Sequence, residues 1–164
     1  MGPVGHSAIS AGIGAGVWGA TGSAAAGGVA LGVGVLTDVD HLFDYYQWYI
    51  RRKPGKIYLF FHAWEYGFIG LLVLAFAFYH PVLLAAVLAH IVHVASDHFH
   101  NRLAPWGYSI SYRALAGFNT NRITPNHDVL RSYKSWLRMV PFGKRFEPWY
   151  QRKIEPWFRS RIDD

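Results

Sequence analysis

A chain of 164 residues has room for one domain. Charged residues make up only 16% against the roughly 25% of an average soluble protein, hydrophobic ones make up 52%, and the absence of cysteine excludes a disulfide framework, a thiolate metal site and a cysteine nucleophile. The net charge of +6 is unevenly spread: residues 1–50 hold no Lys or Arg, a short run of Arg51, Arg52, Lys53 and Lys56 follows, and twelve Lys/Arg against five acids lie from Arg102 onward.

Residues 7–36 carry no charge and exceed the ~20 residues that one spanning helix needs. Gly22 and Ser23 near the middle allow two short helices joined by a turn. Small residues let helices pack closely in lipid, and the spacings Gly12 to Gly16 and Gly28 to Gly32 suit that use. The alternative is a flexible low-complexity leader. Residues 37–56 begin with acids and a histidine, continue with aromatics and end in the basic turn Lys53-Pro54-Gly55-Lys56. Residues 57–79 are the clearest transmembrane candidate. His80-Pro81 marks a turn, with proline suited to a first helical turn. Residues 82–99 form the next apolar helix, antiparallel to the one before.

After Asn101 the chain is polar and interrupted by Pro105, Gly107, Gly117 and Pro125. Asn126 is a candidate cap for a helix over 127–139. Residues 145–161 mix Trp149, Tyr150, Ile154, Trp157 and Phe158 with Arg and Lys, the composition of a helix on an anionic membrane surface or of an amphipathic helix packed on its own domain. A basic tail could bind nucleic acid, but after apolar segments the positive-inside rule is more economical. The N-terminus lacks the charged region of a secretory signal peptide. The expected fold is therefore all-α: an integral membrane bundle of three to four apolar helices with interfacial amphipathic helices. Residues 1–101 form the embedded part, and 102–164 form a basic, aromatic tail on the cytoplasmic side. Membrane lipids and other membrane subunits are the expected partners, and no nucleic acid is.

The acids among the first 100 residues are Asp38, Asp40, Asp44, Glu65 and Asp97, each beside a histidine or a few residues from one. Asp38 and Asp40 precede His41. Glu65 follows His62 by three residues, which on a helix puts both on one face. Asp97 follows His93 by four and His90 by seven, so the three share a helical stripe. An ionisable group in a membrane is costly and suggests function. Imidazole and carboxylate together suit a divalent metal, whose charge offsets buried carboxylates. Helix-to-helix hydrogen bonds and interfacial polar anchors are the structural alternatives. His6 is a lone N-terminal candidate. His80 and His127 read as plain, and His98 and His100 as outer or surface residues.

An N-terminal histidine, then Thr37-Asp38-Val39-Asp40-His41, then His62-Ala63-Trp64-Glu65, then His93 to Asp97 resembles the predicted membrane-bound metal-dependent hydrolases. These are small bacterial and archaeal inner-membrane proteins with a PDxDH motif. Thr37 stands where the family has Pro. The family's middle motif has a second histidine that is missing here, with Glu65 in a position to stand in. The likeness covers roughly residues 5–101. By a looser similarity the His/Asp order is like zinc-dependent phospholipase C, which implies phosphoester cleavage. The resemblance implies that His6, Asp40, His62, His93 and Asp97 hold one to three ions, zinc being expected, with His41 and His90 as further ligand candidates. Asp38 and Glu65 are the catalytic candidates, completing the metal shell or acting as base. Arg51, Arg52, Arg102 or Arg113 would guide an anionic headgroup. Two other classes remain: a membrane non-haem di-iron oxidoreductase, from HxxH at 90 and 93 and HxH at 98 and 100, and a non-catalytic subunit of a membrane complex.

Overall fold

In the computed structural model, residues 2–53, 55–101, 103–124 and 142–162 are described. The 127–139 helix expected behind Asn126, and Arg102, lie outside them.

The uncharged N-terminal segment folds as two helices. Pro3 opens α1 (Pro3–Thr21), its fixed φ suited to a first turn. Gly22 ends the helix at φ 72°, a left-handed conformation that glycine adopts without a Cβ penalty, and its N–H closes on the Trp18 carbonyl at 2.7 Å. Ser23 starts α2 (Ala24–Leu36) by accepting the Ala26 N–H on its hydroxyl. The two pack as a hairpin. Gly14 and Gly27 allow the approach, since a Cβ on Gly14 would stand 2.7 Å from the Gly27 carbonyl oxygen. A Cβ on Gly34 would overlap the Ser10 hydroxyl. Gly12, Gly16, Gly28 and Gly32, the expected packing pairs, face open space instead. The seam falls on the other helical face.

From α2 the chain runs on through a 3₁₀ turn (Thr37–Val39), α3 (Asp40–Tyr45) and a π turn (Tyr46–Ile50). The stretch 57–79 is not helical throughout. Residues 57–63 form a loop, and helix α4 spans only Trp64–Phe76. The reason lies in contacts from earlier in the chain. Backbone N–H groups that a helix would satisfy within itself are taken by carboxylates of α3: Asp44 accepts from Tyr58 and Leu59, and Asp40 from Phe61. His80 caps α5 (Pro81–His100), accepting the Val82 N–H. After it come α6 (Ile110–Leu115), α7 (Thr120–Ile123), α8 (Gly143–Lys153) and α9 (Glu155–Ile162).

The described residues form helices and loops, with one isolated bridge between Lys56 and Asn119 and no strand. Among the described residues, two helical stretches, Ala24–Ile50 and Pro81–His100, are long and apolar enough to cross a membrane, and α4 is shorter at 13 residues. Two hydrophobic clusters organise the molecule. An alanine-rich seam of Val17, Ala26, Ala30, Ala85 and Ala89 joins α1, α2 and α5. An aromatic cluster of Trp48, Tyr49, Leu59, Tyr108 and Ile123 lies at the other end, under the loops. There α9 docks on the π turn, with the Phe158 ring 4.3 Å from that of Tyr49, so the C-terminal amphipathic segment packs on its own domain. Phe146 and Trp149 of α8 stay exposed.

Candidate metal centre

The N-terminus of α1, the C-terminal ends of α2 and α5, and the loop before α4 meet at one end of the bundle. They bring together His6, Asp38, Asp40, His41, His62, His93 and Asp97. His6, His62, His93 and Asp97 are almost fully buried, while the side chains of Asp38 and His41 keep 19% and 28% of their surface and form the open side.

Two histidines are locked by their outer nitrogens. His93 Nδ1 lies 2.9 Å from the Gly34 carbonyl, which can only accept, so Nδ1 carries the proton. His62 Nδ1 lies 3.0 Å from Asp40 Oδ2 and donates to that carboxylate. In the neutral rings both Nε2 atoms are then bare, yet they stand only 3.1 Å apart. Two lone pairs so placed repel unless a cation sits between them or one ring takes a second proton. Asp38 Oδ1 lies 3.4 and 3.5 Å from the Nε2 atoms of His62 and His93, and Asp97 Oδ2 lies 3.4 and 3.8 Å from them. His6 Nε2 meets Asp97 Oδ1 at 3.0 Å, its ring stacked on His93 with centroids 3.7 Å apart. His41 Nε2 lies 3.6 Å from Asp38 Oδ1. The arrangement favours positive charge: burial opposes the His62 imidazolium, but hydrogen bonds to Asp38, Asp40 and Asp97 hold its pKa well above the usual value.

Two sets of four side chains have ligand atoms within 4.8 Å of one another: His6, Asp38, His93 and Asp97, and Asp38, His41, His62 and Asp97. Asp38, expected as a catalytic carboxylate, belongs to both. Asp40, expected as a ligand, faces the outer nitrogen of His62 and the Phe61 N–H. From there it would orient His62 toward an ion, the arrangement that metal-binding histidines commonly have.

Glu65 and His90 stand apart. Glu65 accepts from the Ser109 hydroxyl at 2.6 Å and from the N–H groups of Ile110 and Ser111, so it caps α6. It does not share a helix face with His62, because His62 is in the loop and Glu65 in the first turn of α4. His90 turns from the stripe of His93 and Asp97, placing its Nε2 2.8 Å from the Phe61 carbonyl, and it lines an apolar groove between α4 and α5 with Tyr66, Gly70 and Val87. His98 packs edge-on against Trp64, and His100 bonds the Ser96 carbonyl.

Arg113 is fully buried and cannot greet a headgroup. Its guanidinium donates to the carbonyls of Leu59, His62 and Gly107 at 2.8–2.9 Å, clamping the loop that carries His62. Burial pulls its pKa down, while the charges of Glu65 and Asp40 push it up. Arg51 and Arg52 are exposed. Sequence reasoning gave no signal for the clamp or for the Gly34 carbonyl, since a backbone acceptor has no residue signature.

Comparison with protein-family models, curated proteins and solved structures gives no match.

Proposed function

We propose that this protein is a membrane-embedded, metal-dependent hydrolase, with zinc as the ion that its imidazole and carboxylate donors suit best. The observation that carries the reading is the pair of tautomer-locked histidines, His62 and His93, whose bare nitrogens converge between two carboxylates. Hydrogen bonds between helices, the structural alternative, require that one of the two rings carry a second proton between the nitrogens.

The membrane assignment rests on apolar surface that the fold does not cover. Only 28% and 33% of the two long apolar windows is buried, and Leu31, Leu42, Phe68, Ile69, Leu72 and Phe76 are exposed. The helical turns at Gly22–Ser23 and 77–80 lie at the far end and hold no Lys or Arg, while Arg51–Lys56 follow the cluster end. The positive-inside rule then sets the metal end toward the cytoplasm. The bundle of α1, α2, α4 and α5 sits in the inner membrane of a bacterium or archaeon, among lipids.

A bound divalent ion lowers the pKa of a coordinated water toward about 7, which supplies a nucleophile at neutral pH. His62 and His93 hold their donor atoms in place through Asp40 and Gly34. Asp38 and His41 lie on the open side, where substrate would approach, and the Asp38 carboxylate would complete the ligand shell or take a proton from the metal-activated water. Burial of the other ligands limits access to that side. Exposed Val39, Leu42 and Phe43 border it, which suits a phosphoester or similar bond in a lipid-like substrate at the membrane surface.

The test is hydrolysis of a chromogenic phosphodiester and of phospholipid in mixed micelles by chelator-treated protein reloaded with zinc, manganese or iron. Metal-dependent turnover is expected. No turnover of either substrate with any metal would contradict phosphoester cleavage, and oxygen-dependent chemistry with iron alone would make the protein an oxidoreductase.

A further inference from the structure

We propose that the centre holds two divalent ions, a buried one on His6 and His93 and an outer one on His41 and His62, with Asp97 bridging them and Asp38 reaching both. This rests on the reading of the cluster as a metal centre and adds to it the count, the partition of ligands and an asymmetry between the two sites.

Four imidazoles and two carboxylates converge here. A protein zinc site ordinarily takes four ligands, so one ion leaves two side chains of this set unused. The two ligand sets differ only in their histidines and share both aspartates. Asp97 has the form of a bridge: Oδ1 points to His6 Nε2 at 3.0 Å and Oδ2 to His62 Nε2 at 3.4 Å, so its two oxygens serve different imidazoles. The two sites differ in access through His41: His6, His62 and His93 are buried, whereas His41 lies at the open side beside Asp38. The outer ion therefore exchanges with solution and meets substrate, and the inner one is retained. Two ions about 3.5–4 Å apart are the arrangement that clamps the attacking and leaving oxygens of an in-line displacement, which favours a phosphoester over a carboxylic ester.

The test uses manganese(II) alone as the probe. Metal-free full-length protein in mild detergent is titrated with manganese, passed through a desalting column, and read by elemental analysis and electron paramagnetic resonance. Two ions per chain with a spin-coupled signal are expected, one of them removed quickly by a soluble chelator. The His41→Ala variant, altered at a partly exposed side chain, should hold one ion with an uncoupled signal and keep the helical circular-dichroism spectrum of the parent. One ion per parent chain, or two uncoupled ions, overturns the bridged pair and leaves the metal centre standing. No manganese in the parent, with none after zinc titration either, overturns both. Two coupled ions retained by His41→Ala would refute the partition of ligands.

Discussion

Replacing Arg113 with methionine tests whether the site depends on a clamp that never touches it. The guanidinium satisfies three backbone carbonyls, those of Leu59, His62 and Gly107, at a fully buried position. Methionine fills similar volume but donates nothing. Each stranded buried carbonyl costs about 1–3 kcal/mol. Relaxation and water entry reduce the sum, so the loss is about 3–5 kcal/mol, the range for removing one partner from a buried charged network. At about 2–4 °C per kcal/mol for a chain of this size, the midpoint of thermal unfolding should fall by about 6–20 °C. The loop also carries His62, whose ring must meet His93 at 3.1 Å, so metal affinity should fall together with stability. The assay is thermal unfolding by circular dichroism in detergent, paired with zinc affinity by competition with a chromophoric chelator. Arg113→Lys should recover only part of the loss, because one ammonium cannot reach all three carbonyls. An Arg113→Met protein that melts within 2 °C of the parent, by that scale a loss of at most about 1 kcal/mol, and binds zinc equally tightly would refute the clamp.

The Glu65→Gln variant should lose about 1 kcal/mol through a weakened α6 cap while keeping full metal content, and full metal loss would return Glu65 to the ligand shell. Gly34→Ala should cost about 3 kcal/mol by forcing α2 off Ser10, and it should weaken metal binding by moving the carbonyl that holds His93; unchanged unfolding and metal affinity would count against that packing. Gly14→Ala should destabilise by about 1–3 kcal/mol at the α1–α2 seam, whereas Gly12→Ala, in open space, should be neutral or gain up to about 1 kcal/mol from helix propensity; equal melting of the two variants would contradict the seam. His90→Ala should leave bound metal per chain unchanged by elemental analysis, and loss of an ion would draw His90 back into the site.

The helical class was legible, and because charge is so rare in this chain each early acid stood out; the residues singled out in the sequence include His6, Asp38, His41, His62, His93 and Asp97, which the fold brings together, beside Asp40, Glu65 and His90, which it sets behind or apart from them. The roles within the group were less so. Asp38 and Asp40 are two residues apart in one motif, and only the fold shows that one faces the donor nitrogens and the other the back of His62. The loop 57–63 reads as helix because it is apolar, and it is unwound by carboxylates from a distant part of the sequence. His90 and His93 share a helical stripe by spacing, but a carbonyl of that same loop draws His90 away. Glycine spacing suggested close packing without saying which face packs, since a helix this rich in small residues offers several.

The most direct test of the metal centre is the metal content of protein purified without added metal, measured by elemental mass spectrometry beside a His62→Ala, His93→Ala double variant of unchanged helical content. Near-stoichiometric zinc in the parent and little in the variant is the predicted result. An equal trace of metal in both would contradict the account, and the converging histidines would then have to share a proton in place of an ion.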